Sequence, residues 1–159
     1  MDITVRKATK NDSKKIFEWR NDPVSMAMSL TSKIIDWKGH KEWYNLAIKD
    51  KNILIAICQS KSVSFEDVGM VRFDFNSINK DATISINLNP KARGNSLGQY
   101  CLKAAINYLQ KSHHSLNRIM ADIKSENIAS IRTFEKAGFN FLEMTSKNSL
   151  RYVYELEHE

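Results

Sequence analysis

The segment Arg93-Gly94-Asn95-Ser96-Leu97-Gly98 sets a guanidinium and two glycines at the start of a stretch whose apolar residues recur at helical spacing. Backbone N–H groups at a helix start lack intrahelical partners and attract anions. Gly94 and Gly98 lack Cβ atoms, which permits unusual backbone angles and close approach of a phosphate, and Arg93 offers paired charge-assisted donors. The helix dipole contributes only about 0.3 to 1 kcal/mol per favourable charge, so several donors must act together, as a pyrophosphate would let them. No Lys-Ser or Lys-Thr closes the loop as in a P-loop, and the glycine spacing is not GxGxxG. Taken alone, the segment is also an ordinary strand-to-helix turn with two glycines.

Other residues carry chemistry with less context. His40 is the sole histidine outside the Ser112 to Ser115 connector and the C-terminal tail, and its ordinary pKa suits proton acceptance through water. It reads equally as a helix histidine that hydrogen-bonds a substrate or caps a pocket. Asp74 ends a strand, where a carboxylate is a candidate base or a salt-bridged surface acid. His113-His114 are adjacent and do not converge as i,i+4 ligands do, so no metal is expected. Trp19, Trp37 and Trp43 read as core, with Trp43 the best exception.

The elements that must position these residues follow from periodicity. Ile3 to Ala8 alternates as a half-buried strand, and Asn11-Asp12-Ser13 supplies an N-cap for a helix carrying Ile16, Phe17 and Trp19 that stops near Asn21-Asp22-Pro23. A second helix over about 36–49 carries Trp37, His40, Trp43 or Tyr44, and Ala47. Ile53 to Gln59, Val68 to Phe75 and Ala82 to Leu88 read as an antiparallel meander joined by Lys61 to Asp67 and Asn76 to Asp81. Leu97, Cys101, Ala105, Tyr108 and Leu109 mark a core-facing helix. Ile119 to Ile123 is a strand, Ala129 to Ala137 a helix ended by Gly138, and Phe139 to Met144 with Leu150 to Leu156 a closing hairpin.

A chain of 159 residues, 42% hydrophobic and 26% charged, fits a single domain over 1–159 with one buried core. Cys58 and Cys101 lie in apolar surroundings without CxxC spacing, so they read as buried thiols in a reducing compartment. Neither a signal-peptide stretch nor a run of about 20 apolar residues is present, so the expected location is cytoplasmic, with no membrane span. The net charge of +6 points to an anionic partner: nucleic acid, anionic lipid or a small phosphorylated ligand. Lys7, Lys10, Lys14 and Lys15 lack a recognition helix or aromatic stacking pattern, so they read as a solvated face and no nucleic acid is expected.

Leu88 through Gly98 resembles the coenzyme-A loop of the GNAT superfamily of N-acetyltransferases, written as Arg or Gln, two residues, Gly, one residue, then Gly or Ala, with Ser96 in the place of the first glycine. Asn127-Ile128-Ala129-Ser130-Ile131-Arg132-Thr133-Phe134-Glu135-Lys136-Ala137-Gly138-Phe139 resembles the Asn-started helix ending in Gly-Phe of the same superfamily. The resemblance covers nearly the whole chain. It implies an α/β (α+β) fold with a mixed, mostly antiparallel central sheet, splayed middle strands and helices on both faces. It implies acetyl-CoA as cosubstrate and no metal. By position it assigns the backbone N–H of Leu88 to the thioester carbonyl. Arg93, Gly94, Asn95, Ser96, Leu97 and Gly98 are assigned to the pyrophosphate, and Asn127, Phe134 and Lys136 to the cofactor from the next helix.

Trp19-Arg20-Asn21-Asp22-Pro23, Ser29, His40 with Trp43-Tyr44, and Gly69 to Asp74 resemble the acetyltransferases of bacterial pseudaminic-type surface-sugar pathways. That resemblance implies direct transfer to the 4-amino group of a nucleotide-linked amino-dideoxy sugar, with Arg20, Met28, His40, Trp43 and Arg72 facing the acceptor. A protein N-terminus as acceptor and a catalytically silent coenzyme-A-binding regulator are the competing expectations, and a homodimer is left open. Many superfamily members carry a Tyr where Phe134 stands, to protonate the leaving sulfur. Tyr100, Tyr108 or water are the substitutes the sequence offers.

Overall fold

The computed structural model describes residues 2–31, 33–63 and 66–158. Seven strands form one sheet: β1 (Ile3–Lys7), β2 (Ile53–Ser60), β3 (Glu66–Asn76), β4 (Asp81–Leu88), β5 (Arg118–Lys124), β6 (Asn140–Ser146) and β7 (Ser149–Glu155). Their spatial order is β1-β2-β3-β4-β5-β7-β6, antiparallel throughout except where β4 meets β5. Ile53-Leu54-Ile55-Ala56-Ile57-Cys58 is a continuous apolar run because β2 is covered on both faces. Leu54 and Cys58 enter one core, and Ile55 and Ile57 enter the other.

The helices divide accordingly. α1 (Ser13–Arg20) and α3 (Trp37–Ala47) set Ile16, Trp19, Tyr44 and Ala47 against Ile55, Ile57 and Met70. α4 (Leu97–Gln110) lays Cys101, Leu102, Ala105, Ile106 and Leu109 on the opposite face against Val71, Phe73 and Ile84, beside α5 (Ile128–Lys136). Both cysteines are fully buried, and the Cys58 thiol lies 3.8 Å from the Cys101 carbonyl oxygen. The expected sheet, the helices on both faces and the buried thiols are all present.

Four local expectations are corrected. Asn21-Asp22-Pro23 ends α1 but also opens an unanticipated helix, α2 (Pro23–Met28). Its Asp22 carboxylate accepts from the N–H groups of Val24 and Ser25, and proline stands at the first helical position, where no N–H is needed. Asp12 does not cap α1 through its side chain; its buried carboxylate takes Arg6 at 2.7 and 2.8 Å and the Thr9 N–H at 2.8 Å. Burial opposes its ionisation, yet Arg6 and Thr9 outweigh burial and hold it at about 2. Lys15 leaves the solvated lysine face to pair with Asp67 and Asp12, while Lys7, Lys10 and Lys14 are exposed. Trp37, expected in the core, is 41% exposed. Residues 64 and 65 of the Lys61 to Asp67 connector lie outside those described.

The central pairing positions the site. β4 and β5 run parallel for three residue pairs, Asp81 with Arg118, Ala82 with Ile119 and Thr83 with Met120, and then separate. Ile84 to Leu88 keep β3 on one side and have no strand on the other among the described residues. On the β3 side, Gly69 lies opposite Leu88, where a Cβ would stand 3.0 Å from Leu88 Cδ2 and 3.2 Å from the Asn87 carbonyl oxygen.

Candidate active site

The splay opens a cavity of about 650 Å³ whose walls come from both sides of the sheet. On one wall stand Leu88, Arg93, Gly94, Ser96, Leu97 and Gly98, with Asn127, Thr133 and Phe134 facing them from α5. Successive N–H groups of an extended chain point to opposite strand edges. The Asn89 N–H donates to Val68 on the β3 side at 2.9 Å, so the Leu88 N–H is directed into the gap left by β5.

The loop has the conformation of an anion cradle. Gly94 has φ of 80° and nothing within 4 Å of where a Cβ would sit, so its surface is open to a ligand. Ser96 also occupies the left-handed region, with φ of 58° and ψ of 22°, and gives α4 no side-chain cap. The first-turn N–H groups of a fourteen-residue helix are therefore left for another acceptor. Gly98 serves packing: a Cβ there would lie 2.7 Å from Thr133 Cγ2, so its absence lets α4 approach α5. Arg93 is engaged differently from the expectation: Nη2 donates to Asp22 Oδ2 at 2.6 Å and to Ser25 Oγ at 2.7 Å.

The other wall is built by α1, α2, α3 and the α3-facing side of the sheet. Arg20, Met28, His40, Trp43 and Arg72 all line the cavity, together with Met70. The Arg72 guanidinium carbon lies 4.8 Å over the Trp43 ring, and Nε and Nη2 donate to Asp74 Oδ1 at 3.2 and 2.8 Å. Asp74 is thus the partner of Arg72 rather than a cavity-wall base. His40 is 1% exposed, with Trp37 and Tyr44 stacked against it. Burial lowers its pKa, the contact with Ser13 opposes that, and the Arg20 charge lowers it further. Its Nε2 lies 2.9 Å from the Ser13 carbonyl oxygen; neutral His40 donates there, leaving Nδ1 as a bare acceptor without a partner among the described residues.

A family model described as an acetyltransferase (GNAT) domain matches residues 2–140. The chain belongs to that family. This acetyltransferase resembles a domain from Methanocaldococcus jannaschii at 22% identity and TM-score 0.82, over 98% of this chain and 99% of the other. It also resembles the spermidine N-acetyltransferase from Vibrio cholerae, crystallised with CoA and spermine, at 18% identity and TM-score 0.84, over 96% and 95% of the two chains. An aminoglycoside acetyltransferase in complex with coenzyme A and kanamycin aligns at 19% identity and TM-score 0.80, over 97% and 95%. At these identities the likeness establishes the shared fold. No curated protein matches the sequence.

The acetyltransferase uses acetyl-CoA, which supplies a thioester carbonyl for an amine to attack, and the open Gly94 cradle and uncapped α4 start fit its pyrophosphate. Asn127 spends its side-chain oxygen capping α5, accepting from the Ser130 N–H at 3.1 Å, which leaves its amide N–H groups as donors. Asn95 and Lys136 are not on the cavity wall. Lys136 ends α5, nine residues and about 13 Å along the helix from Asn127. Phe134 is 3% exposed, packed edge-to-face on Phe139 with centroids 5.0 Å apart, so it is core and cavity wall together. Neither Tyr100 nor Tyr108 reaches the wall. Asp22 and Ser25, which hold Arg93, went unassigned in the sequence; the Asp-Pro pair at the start of α2 was the signal.

Proposed function

We propose that this acetyltransferase passes the acetyl group directly to the primary amine of a nucleotide-linked amino-dideoxy sugar, working as a single cytoplasmic domain. The observation that carries the reading is the mixed lining of the acceptor wall, where Met28, Met70 and Trp43 offer apolar surface and Arg20 and Arg72 offer charge. A deoxy sugar on a diphosphate has both characters; spermidine and aminoglycosides are polycations that two arginines repel. Neither cysteine lines the cavity, which supports transfer without a thiol-bound acyl intermediate.

In this reading the Leu88 N–H donates to the carbonyl oxygen as negative charge develops there, and the α4 start with Arg93 receives the pyrophosphate. Asn127 contributes a side-chain donor. His40 Nδ1 is the acceptor that positions or deprotonates the amine. The demand on that base is small: a sugar amine with pKa near 8 loses its proton at neutral pH for little over about 1 kcal/mol, against about 4 to 5 kcal/mol for a lysine. The test is free-thiol release from acetyl-CoA across nucleotide-linked 4-amino sugars, N-terminal peptides, spermidine and an aminoglycoside. Turnover restricted to the nucleotide-linked sugars is expected. Robust peptide acetylation with no sugar turnover would overturn the acceptor assignment, and silence with every amine would leave a coenzyme-A-binding regulator.

A further inference from the structure

Beside the main cavity lies a second chamber of about 300 Å³, lined by Arg20, Ile35, Gly39, His40, Trp43 and Arg72. Four of these, Arg20, His40, Trp43 and Arg72, also line the main cavity, so the chamber is a side compartment of the acceptor wall. None of its lining residues is a carboxylate, and none belongs to the Arg93 to Gly98 loop. We propose that Arg20 and Arg72 form the docking site for an anionic group carried by the acceptor itself, separate from the cofactor's pyrophosphate cradle.

The charge arrangement argues for it. Arg20 ends α1 half-buried and makes no ion pair or side-chain hydrogen bond among the described residues. Burial is the first cause that lowers its pKa, and the positive charge of Arg72 is the second. Arg72 has Asp74, whereas Arg20 has no carboxylate partner among the described residues. Folded chains pair a partly dry charge or leave it to be paired by what binds. His40 adds no third positive charge, because the same burial and the Arg20 field keep it neutral.

Geometry fixes what fits. The Trp43 ring and Asp74 hold the Arg72 plane in place, leaving its remaining N–H groups to a ligand. Planar guanidinium forks match the paired oxygens of a phosphoryl or carboxylate group, and a pre-oriented fork loses little freedom on binding. The unpartnered His40 Nδ1 accepts a hydrogen bond from a hydroxyl or amine of the same ligand. The inference rests on the amino-sugar reading for what bears the anion: the phosphoryl groups linking sugar to nucleoside occupy the chamber while the amine reaches the gap beside Leu88.

The test loads the cofactor site with saturating CoA, so that any further anion must bind elsewhere, and titrates inorganic pyrophosphate and malonate calorimetrically. Saturable pyrophosphate binding is expected, with Kd raised at least about tenfold in Arg20→Gln and in Arg72→Gln while the CoA Kd stays within about twofold, and with partial recovery in Arg20→Lys. Malonate binding tighter than pyrophosphate would assign the docked group as a carboxylate. Pyrophosphate affinity equal in the wild type and both Gln variants overturns the proposal. Arg20-dependent pyrophosphate binding without turnover of any nucleotide-linked amino sugar keeps the anion site and removes the acceptor reading. Turnover of such a sugar with KM untouched by Arg20→Gln keeps the acceptor reading and removes the site.

Discussion

Asp22 and Arg93, 71 residues apart, meet through a 2.6 Å contact in which Nη2 of the arginine donates to Oδ2 of the carboxylate. The same Oδ2 accepts from the N–H groups of Val24 and Ser25, so one atom joins the start of α2 to the Arg93 to Gly98 loop. The hydrogen bond from Arg93 leads the influences that hold the Asp22 carboxyl below the usual carboxylate range. Asp22 therefore competes for the guanidinium that a pyrophosphate would use.

Opposite signs are expected from the two partners. Arg93→Ala removes a charge-assisted donor, and a bond of that kind is worth about 1.5 to 3 kcal/mol, so the CoA Kd should rise about tenfold or more. Asp22→Asn removes the competing charge while keeping an oxygen to cap α2, so the CoA Kd should fall a few-fold. Calorimetric titration of CoA into both variants reads this directly, and changes in the same direction would show that Asp22 supports the cradle rather than competing with it.

The loop conformation separates two small-residue substitutions. Ser96 sits in the left-handed region, which costs a residue with a Cβ roughly 1 to 2 kcal/mol, while glycine loses more backbone freedom on folding. Ser96→Gly should therefore raise Tm by a few degrees at most and preserve CoA binding. Gly98→Ala drives a methyl to within 2.7 Å of Thr133 Cγ2 and should cost about 1 to 3 kcal/mol. Thermal melts with and without CoA distinguish the pair; a neutral Gly98→Ala would mean that Thr133 turns aside freely.

Much of this is legible in the sequence. The strand meander, the helix after Pro90 and the turn at Gly138 after α5 follow from periodicity and glycine placement, while the splay follows only from the family resemblance. What failed was punctuation. Pro23 reads as a terminator because proline ends helices, yet after an Asp cap it starts one, and α2 buries none of its residues and so shows no apolar stripe. Trp37 and Lys15 failed because periodicity gives a face, not the neighbour that covers it: Lys15 meets Asp67 from β3, 52 residues away. Local spacing also could not reveal that Arg93 already had a partner.

His40 makes a pH prediction with a definite sign. Its folded pKa lies below its ordinary 6.5, so the folded state binds fewer protons than the unfolded state between those values. The stability is fully present above about 6.5 and declines as pH falls toward the lower folded value. Melts from pH 8 to 5 should show that decline in the wild type and a shallower one in His40→Gln. In kinetics, a basic His40 places the acidic limb of kcat/KM below 6.5, and His40→Gln removes the limb. An unchanged limb would make His40 a positioning residue.

Phe134→Tyr asks whether a proton donor for the leaving sulfur is missing. A general acid is typically worth about 10²- to 10⁴-fold, but a thiol pKa near 8.5 lies only about 1.5 units above neutral, so the thiolate leaves unaided. The expected gain in kcat at pH 7 is under about tenfold. A gain of about 100-fold or more would mean that sulfur protonation limits the wild-type enzyme.

The paired burial of Cys58 and Cys101 has a practical consequence. The neighbouring Cys101 and burial push the Cys58 pKa up, and neither side chain meets solvent. Only the thiolate reacts with an alkylating agent, so labelling at neutral pH must wait for the chain to open. A ligand that binds only the closed form slows that opening-limited labelling by the factor 1 + [L]/Kd. The protein thus carries an internal stopwatch: the rate at which iodoacetamide marks these cysteines reports how tightly any cofactor or acceptor is held, with no turnover required.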